Sequence, residues 1–196
     1  MSDPTQGNIP ETPASNSGDS QVEPLSIVGF VMVGLGVILG LSALLPWFEI
    51  FGQSANGFAG GIGESGGWIL GIPPGWLLIL AGIALVVAGV MLVVPSGSAY
   101  RHIASIAAVA ISILAILVVI GNRMYFHQNF DDAKSKAGDN AFSKMILSGI
   151  SLKDGAGLWI GLIVAVFALG ISITAMLMVN ASQKGEAALP PPPITQ

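Results

Sequence analysis

The sequence contains no cysteine and little charge. Without cysteine, the chain cannot form a disulfide, hold zinc or an iron–sulfur cluster through thiolates, or use a thiol as a nucleophile. Charged residues make up 9% of the 196 residues, against about 25% in an average soluble domain. A soluble chain of this length needs a charged exterior, and this sequence lacks the residues to form one.

The few charges are also absent from four long apolar runs. No Asp, Glu, Lys, Arg or His occurs in residues 25–47, 75–94, 103–121 or 158–179. A helix of about 20 apolar residues crosses the hydrocarbon core of a bilayer. The runs therefore predict an all-α membrane protein, a four-transmembrane-helix bundle. Buried helices of a soluble protein are the alternative, but helices that are apolar on every face seldom occur four at a time.

Both ends of the sequence are polar. Residues 1–24 predict a disordered acidic tail, and residues 180–196, which contain four consecutive prolines, predict a disordered Pro-rich tail. Because residues 1–24 contain no Lys or Arg, they lack the basic start of a cleaved signal peptide. We interpret the first apolar run as a retained signal-anchor helix, so the transmembrane domain takes residues 25–179.

Two of the connecting loops have patterns of their own. Residues 48–74 contain eight glycines between short aromatic stretches and predict a small β-hairpin in this first loop. In the third loop, residues 122–157, four apolar residues are spaced as on one face of a helix. They predict a short amphipathic helix: Phe142, Met145, Ile146 and Ile150.

The tryptophans provide an independent test of the helix count. Trp47 ends the first run, Trp68 and Trp76 lie at the entry to the second, Trp159 opens the fourth, and Tyr125 follows the third. With four membrane crossings, all five residues fall on one side of the bilayer. Trp and Tyr prefer the headgroup level. These residues therefore predict an interfacial belt and support the count of four.

Small residues recur at helical spacing inside the runs, where they let two helix backbones approach closely. The first run contains a Gly-x-x-x-Gly pair, the third a stripe with steps of four, and the fourth a stripe with steps of 4, 3, 4 and 3. We expect these residues to pack the helices within one bundle rather than to form a dimer interface: Gly36, Gly40, Ala104, Ala108, Ser112, Gly161, Ala165, Ala168, Ser172 and Ala175.

The sequence carries no pattern typical of catalysis. His102 and His127 fall on opposite sides of the predicted membrane, and no nucleophile-elbow, Walker or His-Glu-x-x-His motif occurs. The runs contain no ionisable residue of the kind that ion-coupled transport requires. Arg123, Tyr125 and His127 either contact a lipid headgroup or are ordinary snorkelling and belt residues. We expect no enzyme activity, cofactor, metal or nucleic-acid partner.

Three short segments rich in Trp, Gly and small residues carry a resemblance to a known group: residues 44–48 (LLPWF), 54–58 (SANGF) and 155–159 (GAGLW). They resemble small four-helix bacterial membrane proteins, common in actinobacteria, that include the Trp-associated transmembrane proteins. The resemblance covers roughly residues 25–179. It implies a bacterial plasma membrane and both termini in the cytoplasm, but no reaction. The layout is also similar to that of claudins, without the cysteine pair of their first loop.

The distribution of basic residues and the lack of catalytic motifs bear on the orientation and the function of the chain. Five of the seven Lys and Arg residues lie on the tryptophan side, which by the positive-inside rule favours that side as cytoplasmic, opposite to the resemblance. The sequence favours a non-enzymatic accessory or scaffold protein. Its expected partners are membrane lipids and another membrane protein or a second copy of the chain. An oligomeric channel, or a carrier of small solutes or lipids, is the alternative.

Overall fold

The protein is mostly helical in the computed structural model, which describes residues 24–50, 52–58, 72–94, 98–136 and 151–187. Within these residues there are four α-helices: α1 (Pro24–Ser42), α2 (Pro74–Val93), α3 (Ser98–Lys136) and α4 (Ala156–Ala187). Each helix contains a stretch long and apolar enough to cross a membrane. The predicted count of four apolar helices is therefore confirmed.

The helices pack as a four-membered bundle. The contacts between α1 and α2, α2 and α3, α3 and α4, and α4 and α1 join them in a ring. Leucine side chains fill much of the interior, and Leu39, Leu78, Leu85 and Leu92 are fully buried. Large apolar side chains also cover the outside of the helices, so both faces are apolar, as the charge-free runs predict.

Glycine brings α1 and α2 into backbone contact at two levels. A Cβ atom added to Gly36 would lie 2.7 Å from the carbonyl oxygen of Gly82, and one added to Gly89 would lie 2.7 Å from that of Gly29. Real side chains do not tolerate such distances, so both crossings require glycine. Gly29 was not among the predicted packing residues. Its spacing of seven from Gly36 is the signal that identifies it.

Small residues also line the contact between α3 and α4. Ala108, Ser112, Ala165 and Ser172 are fully buried, and the hydroxyl oxygens of Ser112 and Ser172 are 3.4 Å apart. Each hydroxyl has a backbone acceptor in its own helix, Ala108 O at 2.8 Å for Ser112 and Ala168 O at 2.7 Å for Ser172. The two serines therefore meet between the helices with their hydrogen bonds satisfied.

Three helices end elsewhere than the apolar runs suggest, and α4 continues to Ala187, so residues 180–187 are helical although they were predicted to belong to the disordered tail. The first run continues to Trp47, but α1 ends at Ser42 because Pro46 lacks an N–H and disfavours helical geometry in the residue before it. In the opposite direction, α3 continues beyond Gly121 to Lys136. No proline interrupts this stretch, and Phe126 and Phe130 are buried on one side of it, four residues apart. The predicted amphipathic helix lies outside the described residues.

A small antiparallel sheet covers one end of the bundle. β1 (Pro46–Ile50) and β2 (Gln53–Asn56) form the hairpin predicted for the first loop, and Gly52 takes a φ of 75° at its turn. β3 (Lys153–Asp154) pairs with the other edge of β1, which gives the order β2-β1-β3. The hairpin was predicted correctly. The third strand was not predicted, because two residues are too few to produce an alternating pattern.

Candidate functional site at the sheet end of the bundle

The sheet and the helix ends that it touches form what we call the sheet end: β1, β2, β3, the end of α1, the starts of α2 and α4, and α3 around Arg123–His127. Backbone hydrogen bonds tie these parts together. The N–H of Gly57 donates to the carbonyl of Ala43 (3.0 Å), and that of Gly75 donates to Gly57 (2.7 Å). The N–H of Gly155 donates to the carbonyl of Trp47 (2.6 Å). Three helix ends are therefore fixed to one small sheet.

Trp47 lies in the core of the sheet end. The β1–β2 register skips between Pro46 and Phe48, so Trp47 sits at a β-bulge. A regular strand sends successive side chains to opposite faces, whereas a bulge re-aims one of them. Both Trp47 and Phe48 are consequently buried, and the indole N–H donates to the carbonyl of Ser42 at 2.9 Å. The prediction that Trp47 belongs to the interfacial belt is wrong, because neither its ring nor its N–H is available to lipid or water.

The buried Phe48 connects the sheet to α3. Its ring stacks on that of Phe126, with the centroids 4.1 Å apart and the planes inclined by 14°. Phe126 is also buried, so the stack is shielded from solvent. This contact holds β1 against α3 at the level where α3 leaves the apolar run.

Next to the stack, Asp154 of β3 joins two side chains of α3. One carboxylate oxygen accepts a hydrogen bond from Nε of Arg123 at 2.8 Å, and the other lies 3.0 Å from Nε2 of His127. Arg123 and His127 are one helical turn apart and therefore point the same way. The Asp154 side chain is 13% exposed, against 46% for Arg123 and 39% for His127. The acid is thus the inner member of the cluster.

The pKa of Asp154 reflects these contacts. Partial burial acts to raise it, but the hydrogen bonds from His127 and Arg123 and the positive charge of Arg123 outweigh burial and lower the pKa below its usual range. The carboxylate is therefore ionised near neutral pH and joins β3 to α3. The cluster is an electrostatic tie between two elements that the backbone hydrogen bonds do not connect directly.

Three other residues of the predicted belt lie at the sheet end. Trp159 is 47% exposed and its ring centroid lies 6.0 Å from Cζ of Arg123. Trp76 is 54% exposed and meets Phe58 edge to face at 5.4 Å. Tyr125 is half-buried against the core. The assignment of these three residues to an interfacial belt stays a prediction, and Trp68 lies outside the described residues.

Of the predicted packing residues, most lie in the bundle interior: Ala104, Ala108, Ser112, Gly161, Ala165, Ala168, Ser172 and Ala175, together with Gly36, are buried. Gly40 differs, since a Cβ added to it would have no atom within 4 Å. With Gly36 and Gly82 it borders an apolar groove of about 340 Å³ between α1 and α2, open to the outside of the bundle. The Gly-x-x-x-Gly pair therefore has one packed member and one open member.

Sequence reasoning named Arg123 and His127 but missed Asp154. The signal available was their spacing of four on one helix face, which indicates a shared partner without identifying it. The partner is 31 residues from Arg123 along the chain and is placed by β3. Among the described residues, no three His, Asp or Glu side chains gather into a group able to hold a metal ion.

Comparison with known proteins gives no further guide. No family model matches the chain, and neither a curated protein nor a solved structure matches it.

Proposed function

We propose that this chain is a multi-pass protein of the bacterial plasma membrane and acts there as a non-enzymatic accessory or scaffold protein. The distribution of side-chain size carries the proposal of a membrane location. Glycine, alanine and serine line contacts between helices, while large apolar side chains on the outside are 60–65% exposed: Phe30, Leu80, Ile103, Phe167 and Leu177. Such an exterior costs free energy in water but none in lipid, where small residues drive helix association.

A scaffold role fits the closed interior of the bundle. The buried hydroxyls of Ser42, Ser112 and Ser172 all donate to carbonyls of their own helices. They therefore do not present a row of free polar groups along which a solute or ion would move through one copy of the bundle. Transport sites require such groups or ionisable ones at membrane depth.

The surface proposed for partner binding is the exposed side of α3 beyond the sheet. Arg123 and His127 contact Asp154, so the sheet meets α3 at that level, and the helix continues from His127 to Lys136. Nine further residues correspond to about 14 Å of helix. Gln128, Asp131 and Asp132 are exposed there. This polar helix, fixed at its base by the cluster and the aromatic stack, is suited to contact another protein outside the bilayer.

Site-specific photocrosslinking in native membranes tests this role. A photoreactive residue at Gln128, on the exposed polar side of α3, is expected to give a discrete protein adduct. The same residue at Ile163, which is 52% exposed on the apolar outside of α4, serves as the control and is expected to react with lipid. Adducts are identified after purification in mild detergent. Protein adducts at Ile163 alone would refute docking through α3.

The groove between α1 and α2 favours the second candidate, an oligomeric channel or a carrier of small solutes or lipids. Its apolar lining of Gly36, Gly40 and Gly82 opens to the outside of the bundle, where a lipid chain or a second copy has access. Flux in proteoliposomes separates the two functions. Reproducible flux that is lost in Gly40→Leu, which fills the groove, would establish transport and refute the scaffold role.

We infer an orientation with both termini in the cytoplasm and the sheet end outside. Because the chain has no cysteine, introduced thiols can be labelled without background. Ser54 on β2 and Ser182 on α4 are both exposed. An impermeant maleimide added to intact cells is expected to label Ser54→Cys, and Ser182→Cys only after lysis. The reverse pattern would invert the orientation.

A further inference from the structure

The end of the bundle opposite the sheet contains a cavity of ligand size. We call it the tail end: the starts of α1 and α3 and the end of α4. A cavity of about 520 Å³ opens there and has walls from all three helices: Pro24, Leu25, Arg101, Met178, Ala181 and Ser182. Sites for small ligands have volumes of about 300–1,000 Å³, so this cavity can take part of an amphiphile.

The cavity lies across the boundary between the polar and apolar parts of the chain. Leu25 is the first residue of one charge-free run, and Met178 is the second-last residue of another. Arg101 lies two residues before the run that begins at Ile103. In a bilayer, such a boundary coincides with the junction of headgroups and acyl chains. The cavity therefore has a polar rim at headgroup level and an apolar wall that leads into the hydrocarbon core.

Two basic residues lie at the tail end. Arg101 lines the cavity, and Lys184 is exposed on α4 just beyond Ser182. Two acidic residues are close in the sequence to residues of the tail end: Glu23 precedes Pro24, and Glu186 follows Lys184 by two residues. Arg101 takes part in an interaction within the chain. A guanidinium has five donors, however, and can serve a second acceptor.

We propose that the tail-end cavity binds an anionic phospholipid. Arg101 donates hydrogen bonds to the headgroup phosphate, for which the planar guanidinium is well shaped, and an acyl chain lies along Leu25 and Met178. The proposal rests on the membrane location but not on the scaffold role. Both arginines that flank the third apolar run have partners within the chain, and Arg101 in addition lines a cavity large enough for a ligand.

Native mass spectrometry of the full chain in detergent micelles tests the proposal, with phosphatidylglycerol and phosphatidylcholine titrated separately. Phosphatidylglycerol is expected to bind more tightly. Arg101→Gln is expected to weaken its binding about tenfold, because a hydrogen bond to a charged group contributes free energy of that order. Ala181→Phe keeps every charge but fills the cavity, and is expected to reduce binding of both lipids. Lys136→Gln removes one positive charge far from the cavity and is the matched control.

The lipid-binding results support or overturn the proposal as follows. Equal binding of the two lipids by the wild type, or unchanged binding in Arg101→Gln, would overturn the proposal. If Arg101→Gln does not stay folded, Ala181→Phe tests whether the lipid binds in the cavity. Unchanged lipid binding in Ala181→Phe would place the lipid elsewhere. Inorganic phosphate is expected not to displace the lipid; full displacement would show that the apolar wall contributes nothing and overturn the phospholipid assignment. The membrane location is read separately, as retention in membranes after an alkaline carbonate wash.

Discussion

The two ends of the bundle each place an arginine at one boundary of the same apolar run of α3, and the two arginines have different surroundings. At the sheet end, Arg123 is held by Asp154, next to a buried Trp47 and a stacked aromatic pair. At the tail end, Arg101 lines a cavity of about 520 Å³ between three helices. The first end is closed by its own residues, whereas the second has room for a ligand. Arg101 also interacts within the chain, so the ends differ in whether a space of ligand size lies beside the arginine.

Removing the buried ring at the sheet end should have the largest effect. Trp47→Ala leaves a cavity in the core and removes the hydrogen bond from the indole to the Ser42 carbonyl, and is expected to lower the free energy of unfolding by about 3–5 kcal/mol. Trp76→Ala is the matched control, because Trp76 is 54% exposed and its removal opens no comparable cavity. Unfolding in a titration with sodium dodecyl sulfate measures both. Equal losses would show that the sheet end does not form a packed core.

Between the two ends, the contact of α3 with α4 should be the next most sensitive. Ala165 is fully buried, and Ala165→Leu is expected to force the helices apart and cost about 1–3 kcal/mol. Val166→Leu adds a methylene group to a side chain that is 53% exposed, so it should be nearly neutral. Ala168→Leu repeats the test one turn along. If both alanine variants unfold like the wild type in the same titration, the stripe faces lipid and the packing is wrong.

The tie between Asp154 and Arg123 should give a smaller effect. Because Arg123 is 46% exposed, a double-mutant cycle of Arg123→Gln and Asp154→Asn is expected to give a coupling free energy of only about 1 kcal/mol. The cycle of Arg101→Gln with Asp154→Asn should be additive within experimental error, since the two residues lie at opposite ends. Coupling in the second cycle equal to that in the first would remove the distinction between the ends.

Much of the helical framework could be predicted from the sequence, because charge is missing over whole helix lengths and no local interaction competes with that signal. The small-residue stripe of α4 was predicted for the same reason, since periodicity within one helix is visible in one segment. The bulge at Trp47 could not be predicted. A tryptophan next to an apolar run looks the same whether its ring faces lipid or the protein core, and the choice is made by pairing with β2.

The charged cluster could likewise be predicted only in part from the sequence. Arg123 and His127 could be selected from their spacing, but Asp154 was one of several acids in a long loop. Only the pairing of β3 with β1 brings its carboxylate to α3. Interactions that depend on non-local strand pairing leave no periodic trace in the sequence. The cavity around Arg101 likewise depends on three helix ends that are distant along the chain.

The pH dependence of stability at the sheet end should be the smallest of these effects. It tests directly whether Asp154 is ionised in the folded protein. The pKa of Asp154 is lower in the folded protein than in an unfolded chain, where an aspartate titrates near 3.9. Ionised Asp154 therefore stabilises the fold fully above about pH 5, and this contribution disappears as the pH falls through the folded-state value. The difference in melting temperature between the wild type and Asp154→Asn should be constant from pH 7 to 5 and shrink below about pH 4.

The measurement is best made in the wild-type background, because the hydrogen bond from His127 contributes to the lowered pKa of Asp154. Arg101→Gln in that background provides the comparison between the ends: its effect on melting should not follow the titration of Asp154. A difference between the wild type and Asp154→Asn that grows as the pH falls would mean a raised pKa, and burial rather than the ion pair would then dominate at Asp154. In that case the sheet end would be closed by apolar packing alone, and the two ends would differ in shape but not in charge.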